Sequence, residues 1–116
     1  MNETYASAML DDDGYPTDEA LELISNWDVK DIAGWFAFVQ SLWALTDWKT
    51  EDATDDISDR PVTRYTMSTG GWSGNEDLIY AMRHNWLLWN LTWVQSRRGG
   101  HYIFEDPLYG WSEENA

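Results

Sequence analysis

The chain has 116 residues, 43% of them hydrophobic and 16% aromatic, with nine tryptophans, no cysteine and a formal net charge of -14. That length fits one domain with its own core, and so much aromatic surface argues against a disordered chain despite the charge. The lack of cysteine excludes disulfides and thiolate chemistry, and the acid excess argues against direct binding of nucleic acid phosphates.

A single domain over 1–116 is therefore expected, and its charge is lopsided. Residues 1–59 carry fifteen acidic and two basic side chains, against six acidic and five basic in residues 60–116. The start, MNETYASAMLDDDGYP, has neither a basic end nor a long apolar run, so it does not read as a secretory signal. No apolar stretch approaches the ~20 residues a bilayer demands. The expectation is a soluble, intracellular protein without a membrane partner.

Residues 1–15 read as a loose acidic arm that ends in the turn Asp11-Asp12-Asp13-Gly14. Thr17 is a good N-cap, Asp18 and Glu19 suit the positive end of a helix dipole, and Leu21, Ile24 and Trp27 are helically spaced. They predict a helix over 17–26. A second helix over 29–45 follows, capped by Asp28, with Ile32, Trp35, Phe36, Val39, Leu42 and Trp43 on one face. Residues 46–59 are polar, acidic and aperiodic, which reads as a surface loop.

Val62 to Met67 alternates in the manner of a strand, about 62–67, and Thr69-Gly70-Gly71 ends it in a turn that calls for positive φ. Ser73-Gly74-Asn75-Glu76 has the capping-box pattern. From it the spacing of Ile79, Met82, Trp86, Trp89 and Trp93 predicts a long helix over 74–97, closed by Arg97, Arg98 and Gly99. His101 to Phe104 reads as a second strand, about 101–105, stopped by Asp106-Pro107. The β-branched Thr92 and Val94 leave another reading open, in which the helix breaks near Asn90 and 91–105 is a hairpin across Arg98-Gly99. The long helix is preferred. An irregular tail over 108–116, pinned by Tyr109 and Trp111, completes the chain. The expected fold is α+β, three helices on a small two-stranded antiparallel sheet, with the Trp-rich third helix central and its indoles buried.

The segments TGGWSGNEDLIYAM and SRRGGHYIFE resemble short proteins encoded by tailed bacteriophages, a group without assigned activity. The likeness covers the C-terminal third of the chain and carries over no catalytic residue. It implies a phage origin and action in the cytoplasm of an infected bacterial cell.

Two sets of residues are candidates for binding. Asp47, Glu51, Asp52, Asp55, Asp56 and Asp59, with Asp11–Asp13, Glu19 and Glu22 as further carboxylates, would meet the basic surface of a host or phage protein, where they would imitate phosphates and inhibit a DNA-handling or defence protein. The plainer account is a solvated face that keeps the chain soluble. Alternatively, Arg64, Trp72, Arg97, Arg98 and His101 would hold a nucleotide or other anion, aided by free N–H groups of the glycine turn at a helix start. The plainer account there is a turn, a helix cap and internal ion pairs. Trp86, Trp89 and Trp93 read as core rather than as a stacking platform, and His84 as a solvated side chain on the polar face beside Arg83 and Asn85 rather than a metal ligand. No nucleophile–base pair, cofactor motif or metal set is recognisable. A non-catalytic phage accessory protein is expected, with the oligomeric state left open.

Overall fold

The first local signals act as their residue types dictate. In the computed structural model, which describes residues 9–44 and 47–107, the Thr17 hydroxyl accepts from the Ala20 N–H at 3.2 Å and starts α1, Asp18–Ser25. The residues just before it fold back on the body. Leu10 bridges Pro16, the Thr17 N–H donates to the Met9 carbonyl at 2.8 Å, and Met9 is buried in the core. The remainder of the expected arm, residues 1–8, lies outside the described residues, as does the expected tail 108–116 with Tyr109 and Trp111.

The second helix, α2, spans Ile32–Leu42 rather than 29–45. Its cap is Asp31, whose carboxylate accepts from the Gly34 N–H at 3.0 Å. The Asp28 carboxylate instead accepts from Lys30 N–H at 2.9 Å, in the turn between the helices. Asp31 is also held by Trp27, whose indole N–H donates to the Asp31 carbonyl at 3.0 Å and to its carboxylate at 3.3 Å.

Three helices on a two-stranded sheet is not the fold of this protein. The described residues form four helices and a four-stranded antiparallel sheet of order β1-β2-β4-β3. The strands are β1, Trp48–Thr54; β2, Pro61–Ser68; β3, Trp93–Arg97; and β4, His101–Asp106. The segment 46–59 is therefore not simply a loop: β1 occupies half of it and pairs with β2, Thr50 opposite Tyr65. Its sequence, WKTEDAT, lacks apolar alternation because β1 is an edge strand, where charged side chains are tolerated and block pairing with other chains.

The long third helix is also overturned. It breaks at Asn85 into α3, Ser73–His84, and α4, Trp86–Thr92, and residues 93–97 are strand. The hairpin alternative has the right elements, with its helix end at Thr92. Asn85 makes the break. Its buried side chain donates to the Ile24 and Trp27 carbonyls at 3.2 and 3.1 Å and accepts from the Leu88 N–H at 3.4 Å. The polar groups left at the end of α1 are thus satisfied by the residue that interrupts the next helix pair.

Trp86, Trp89 and Trp93 consequently share no buried stripe. Trp86 is 65% exposed and Trp93 44%. Trp89 is half-buried, edge-on to Phe104 at 5.1 Å with the Arg83 guanidinium 4.9 Å from its ring. The core tryptophan is Trp35 on α2, fully buried, its N–H donating to the Ile24 carbonyl at 3.0 Å. Beside it Phe36 stacks on Tyr65 at 4.0 Å and meets Phe104 at 5.5 Å. Tyr65 and Phe104 are register partners on β2 and β4, so one face of the sheet receives α2 through this aromatic cluster. Burial pushes the Tyr65 hydroxyl pKa up to about 12.

Candidate functional site

The acidic candidates come together along one edge of the sheet. Asp47 precedes β1, Glu51 and Asp52 lie on it, and Asp55, Asp56 and Asp59 belong to the turn into β2. The turn is held by its own chemistry. The Asp55 carboxylate accepts from the Ser58 N–H at 2.8 Å, and the Asp55 N–H donates to the Arg60 carbonyl at 2.9 Å. That Ser58 bond is the main reason the Asp55 carboxyl sits below its ordinary pKa. Asp59 adopts a left-handed φ of 60°, which aspartate tolerates better than most residues. Asp47, Asp52, Asp56 and Asp59 are exposed, whereas Glu51 is half-buried and lies 3.3 Å from the Lys49 ammonium.

The candidates for anion binding are divided. Arg64 is engaged: its Nε and Nη2 donate to one Glu105 carboxylate oxygen at 2.9 and 2.7 Å, and Nη2 also donates to the Thr54 carbonyl at 3.3 Å. This partnership raises the Arg64 pKa above its ordinary value, with the Glu105 hydrogen bond the largest cause. Strand pairing places Arg64 opposite Glu105, whereas His101 lies opposite Ser68. The two positions are four steps apart on β2, roughly 13 Å of strand, so Arg64 does not join His101.

Arg97 and His101 are cross-strand partners, and Arg98 begins the turn between them. His101 Nδ1 lies 2.7 Å from the Ser68 hydroxyl. Arg97, His101 and Ser68, with Thr66, Tyr102 and Ile103, line a hollow of about 280 Å³ at the end of the sheet, to which Arg98 does not contribute. The Thr69 N–H donates to the Gly100 carbonyl at 3.0 Å, which draws the Gly70-Gly71 turn against the β3–β4 turn. Gly100 has φ 83°, and a Cβ there would run into the Thr69 hydroxyl, so this close approach requires glycine.

Trp72 packs elsewhere, with its ring 4.6 Å from that of Tyr15 and its indole nitrogen over Gly74. The Ser73–Glu76 capping box does not form. Trp72 is the N-cap residue and lends no side-chain bond; Ser73 meets the Tyr15 hydroxyl at 2.9 Å, and Glu76 accepts from the Thr69 hydroxyl at 3.5 Å. The folded-back N-terminal loop thus takes up Ser73, and the turn after β2 takes up Glu76, the two side chains that local sequence assigns to the cap. His84 bonds within its own helix, Nδ1 to the Tyr80 carbonyl at 3.0 Å.

A third place emerges only from packing. Between α1 and the turn into α2 lies an open hollow of about 560 Å³, lined by exposed side chains around half-buried Trp27. From α1, Glu19, Glu22, Leu23 and Asn26 face it, at the three- and four-residue steps of one helix stripe. Trp27, Asp28 and Asp31 close the other side. Trp27 is fixed in position, stacked on Phe38 at 5.2 Å, with its N–H donated to the Asp31 carbonyl and, at 3.3 Å, to the Asp31 carboxylate. Glu19 and Glu22 stand out in the sequence as acids; the stripe at 19, 22, 23 and 26 was the signal for a shared wall.

No helix among the described residues is long and apolar enough to cross a membrane, and among them no three His, Cys, Asp or Glu side chains gather as a metal set. The architecture defines the class as an α+β domain with an acidic sheet edge. No protein family, curated protein or solved structure matches the chain.

Proposed function

We propose that this is a non-catalytic binding protein that presents its acidic sheet edge to a basic surface on a host or phage protein. The supporting observation is the placement of Asp47, Glu51, Asp52, Asp55, Asp56 and Asp59 on one edge strand and its rigid turn, with the turn closed by the Asp55–Ser58 bond. Carboxylates gathered on one edge strand and its turn sum their fields, which speeds encounter with a positive partner. Occupation of a groove shaped for DNA, and so inhibition of a DNA-handling or defence protein, is the form that the phage resemblance favours.

The test is capture from bacterial lysate at low and high salt, with Asp52→Asn, Asp56→Asn and Asp59→Asn combined in one variant. Asp55 is left intact because it holds the turn. Capture of a basic protein by the native chain should fall with salt and with the variant. Capture indifferent to both would refute the reading.

A second reading is favoured by the cross-strand Arg97–His101 pair beside the Ser68 and Thr66 hydroxyls. It makes the sheet end an anion site that uses Arg97, Arg98 and His101, without Arg64 or Trp72. A nucleotide or inorganic phosphate should then raise Tm, and Arg97→Ala with Arg98→Ala should abolish that rise.

A further inference from the structure

We infer that the cavity between α1 and α2 receives an arginine or lysine side chain from an apolar-flanked, basic peptide segment of the partner. This rests on the binding reading above and adds a specific pocket to it. The cavity of about 560 Å³ falls within the range of roughly 300–1,000 Å³ typical of ligand pockets. Leu23 and Trp27 give it an apolar wall, and Leu23 is among the exposed large hydrophobic side chains.

The chemistry around that wall has one sign. Glu19, Glu22, Asp28 and Asp31 all line the cavity, and no lysine, arginine or histidine does. Asp28 and Asp31 accept from the backbone N–H groups of Lys30 and Gly34. The exposed Lys30 side chain lies outside the lining and offsets one of the four carboxylates, so the rim stays net negative. The Trp27 N–H is already donated to Asp31, so the indole offers an incoming group its ring rather than a donor. An aromatic ring bordered by carboxylates favours a cation with an apolar stem: the stem covers Leu23 and the ring, and the charged head reaches the carboxylates. An anionic or purely apolar occupant would leave the carboxylates opposed or desolvated.

A peptide is preferred over a free small cation because the hollow is open to solvent and exposed Glu22, Leu23 and Asn26 give it an elongated wall of acidic, apolar and amide groups, more than one cationic head can cover. Apolar residues flanking the cation would extend along Leu23. The outer sheet edge is a separate acidic surface on different elements, so the two can be tested against each other.

The probe is the peptide acetyl-Leu-Arg-Leu-Arg-Leu-amide, with acetyl-arginine methylamide as the small-cation arm, titrated by calorimetry. The native chain should bind the peptide at least about tenfold more tightly than the small cation, and more weakly as salt rises. Glu19→Gln, Glu22→Gln and Asp28→Asn together should weaken the peptide by about tenfold, while the charge-matched variant Asp52→Asn, Asp56→Asn and Asp59→Asn should change it less than about twofold. These substitutions retain side-chain acceptors, and the indole N–H resonance of Trp27 in the native chain supplies a readout independent of any variant: it should move on titration. Equal weakening by both triple variants, or loss with the sheet-edge variant alone, overturns the cavity and leaves general acidic binding in place. Equal affinity for the small cation overturns the peptide as occupant. A native chain that binds neither probe overturns the cavity, whereas the sheet-edge reading falls only when lysate capture fails.

Discussion

Replacing Phe36 and Trp86 by alanine, one at a time, tests which aromatic residues hold this protein together. Phe36 has no exposed surface, stacks on Tyr65 at 4.0 Å and touches Phe104 and Trp35 at 5.5 and 5.1 Å. A buried Phe→Ala change costs about 3–5 kcal/mol through lost transfer energy and the cavity left behind. Three aromatic neighbours put Phe36→Ala in the upper half of that range, about 4–5 kcal/mol. Domains of this size are stable by only about 5–15 kcal/mol, so the variant should be near the limit of folding. Phe36→Leu fills most of the space and should cost about 1–2 kcal/mol, which keeps the measurement within range. Trp86, 65% exposed, should change stability by no more than about 0.5 kcal/mol. Urea denaturation followed by far-UV circular dichroism gives each value, and an unchanged slope confirms that the same surface unfolds. A loss at Trp86 equal to that at Phe36 would restore the buried tryptophan stripe and refute this account of the core.

Asn85→Ala should cost about 1–3 kcal/mol, because it removes both donors to the end of α1 and the side-chain acceptor for Leu88 N–H; thermal unfolding measures the loss, and faster hydrogen exchange at Leu88 locates it. Glu105→Gln should cost about 2 kcal/mol in urea, between the values for exposed and buried pairs, since the Arg64 and Glu105 side chains are 26% and 9% exposed. Replacing both residues by methionine should recover much of that loss, whereas no recovery would place the effect elsewhere. Asp55 has a depressed folded pKa, so its stabilising contribution is complete above the ordinary value of 3.8 and disappears as pH falls through the lower folded value. Asp55→Asn should remove that part of the acid dependence of Tm, and an NMR titration of the carboxyl should show the depressed midpoint directly.

Signals carried by adjacent residues were legible in the chain itself. Thr17 caps α1 whatever lies beyond it, because donor and acceptor are three residues apart. Tyr65 and Met67 alternate toward the core, and the charge imbalance between the halves is a property of composition. The glycines at 70 and 71 have the positive φ that their turn needs, whereas Gly99 has it in the β3–β4 turn and not as the helix cap expected of it. The capping box at Ser73 shows the limit of such signals, since the pattern is present but Tyr15 and Thr69 take its side chains.

Tertiary structure decided what helical spacing left ambiguous. Trp86, Trp89 and Trp93 recur at steps that suit one helix, but Asn85 finds the carbonyls of Ile24 and Trp27, and that distant contact breaks the run. β1 was hidden because an edge strand needs no apolar alternation to pair with β2; its partner supplies the backbone bonds. The Arg64–Glu105 pair depends on strand register, which one residue of slip would reverse. Composition and short-range hydrogen bonding thus determined where α1 starts and where the acids lie along the chain, but not the caps of α2 and α3. Long-range burial determined which elements exist between Trp48 and Arg97, and packing brought the exposed carboxylates of α1 and its following turn to the two sides of Trp27.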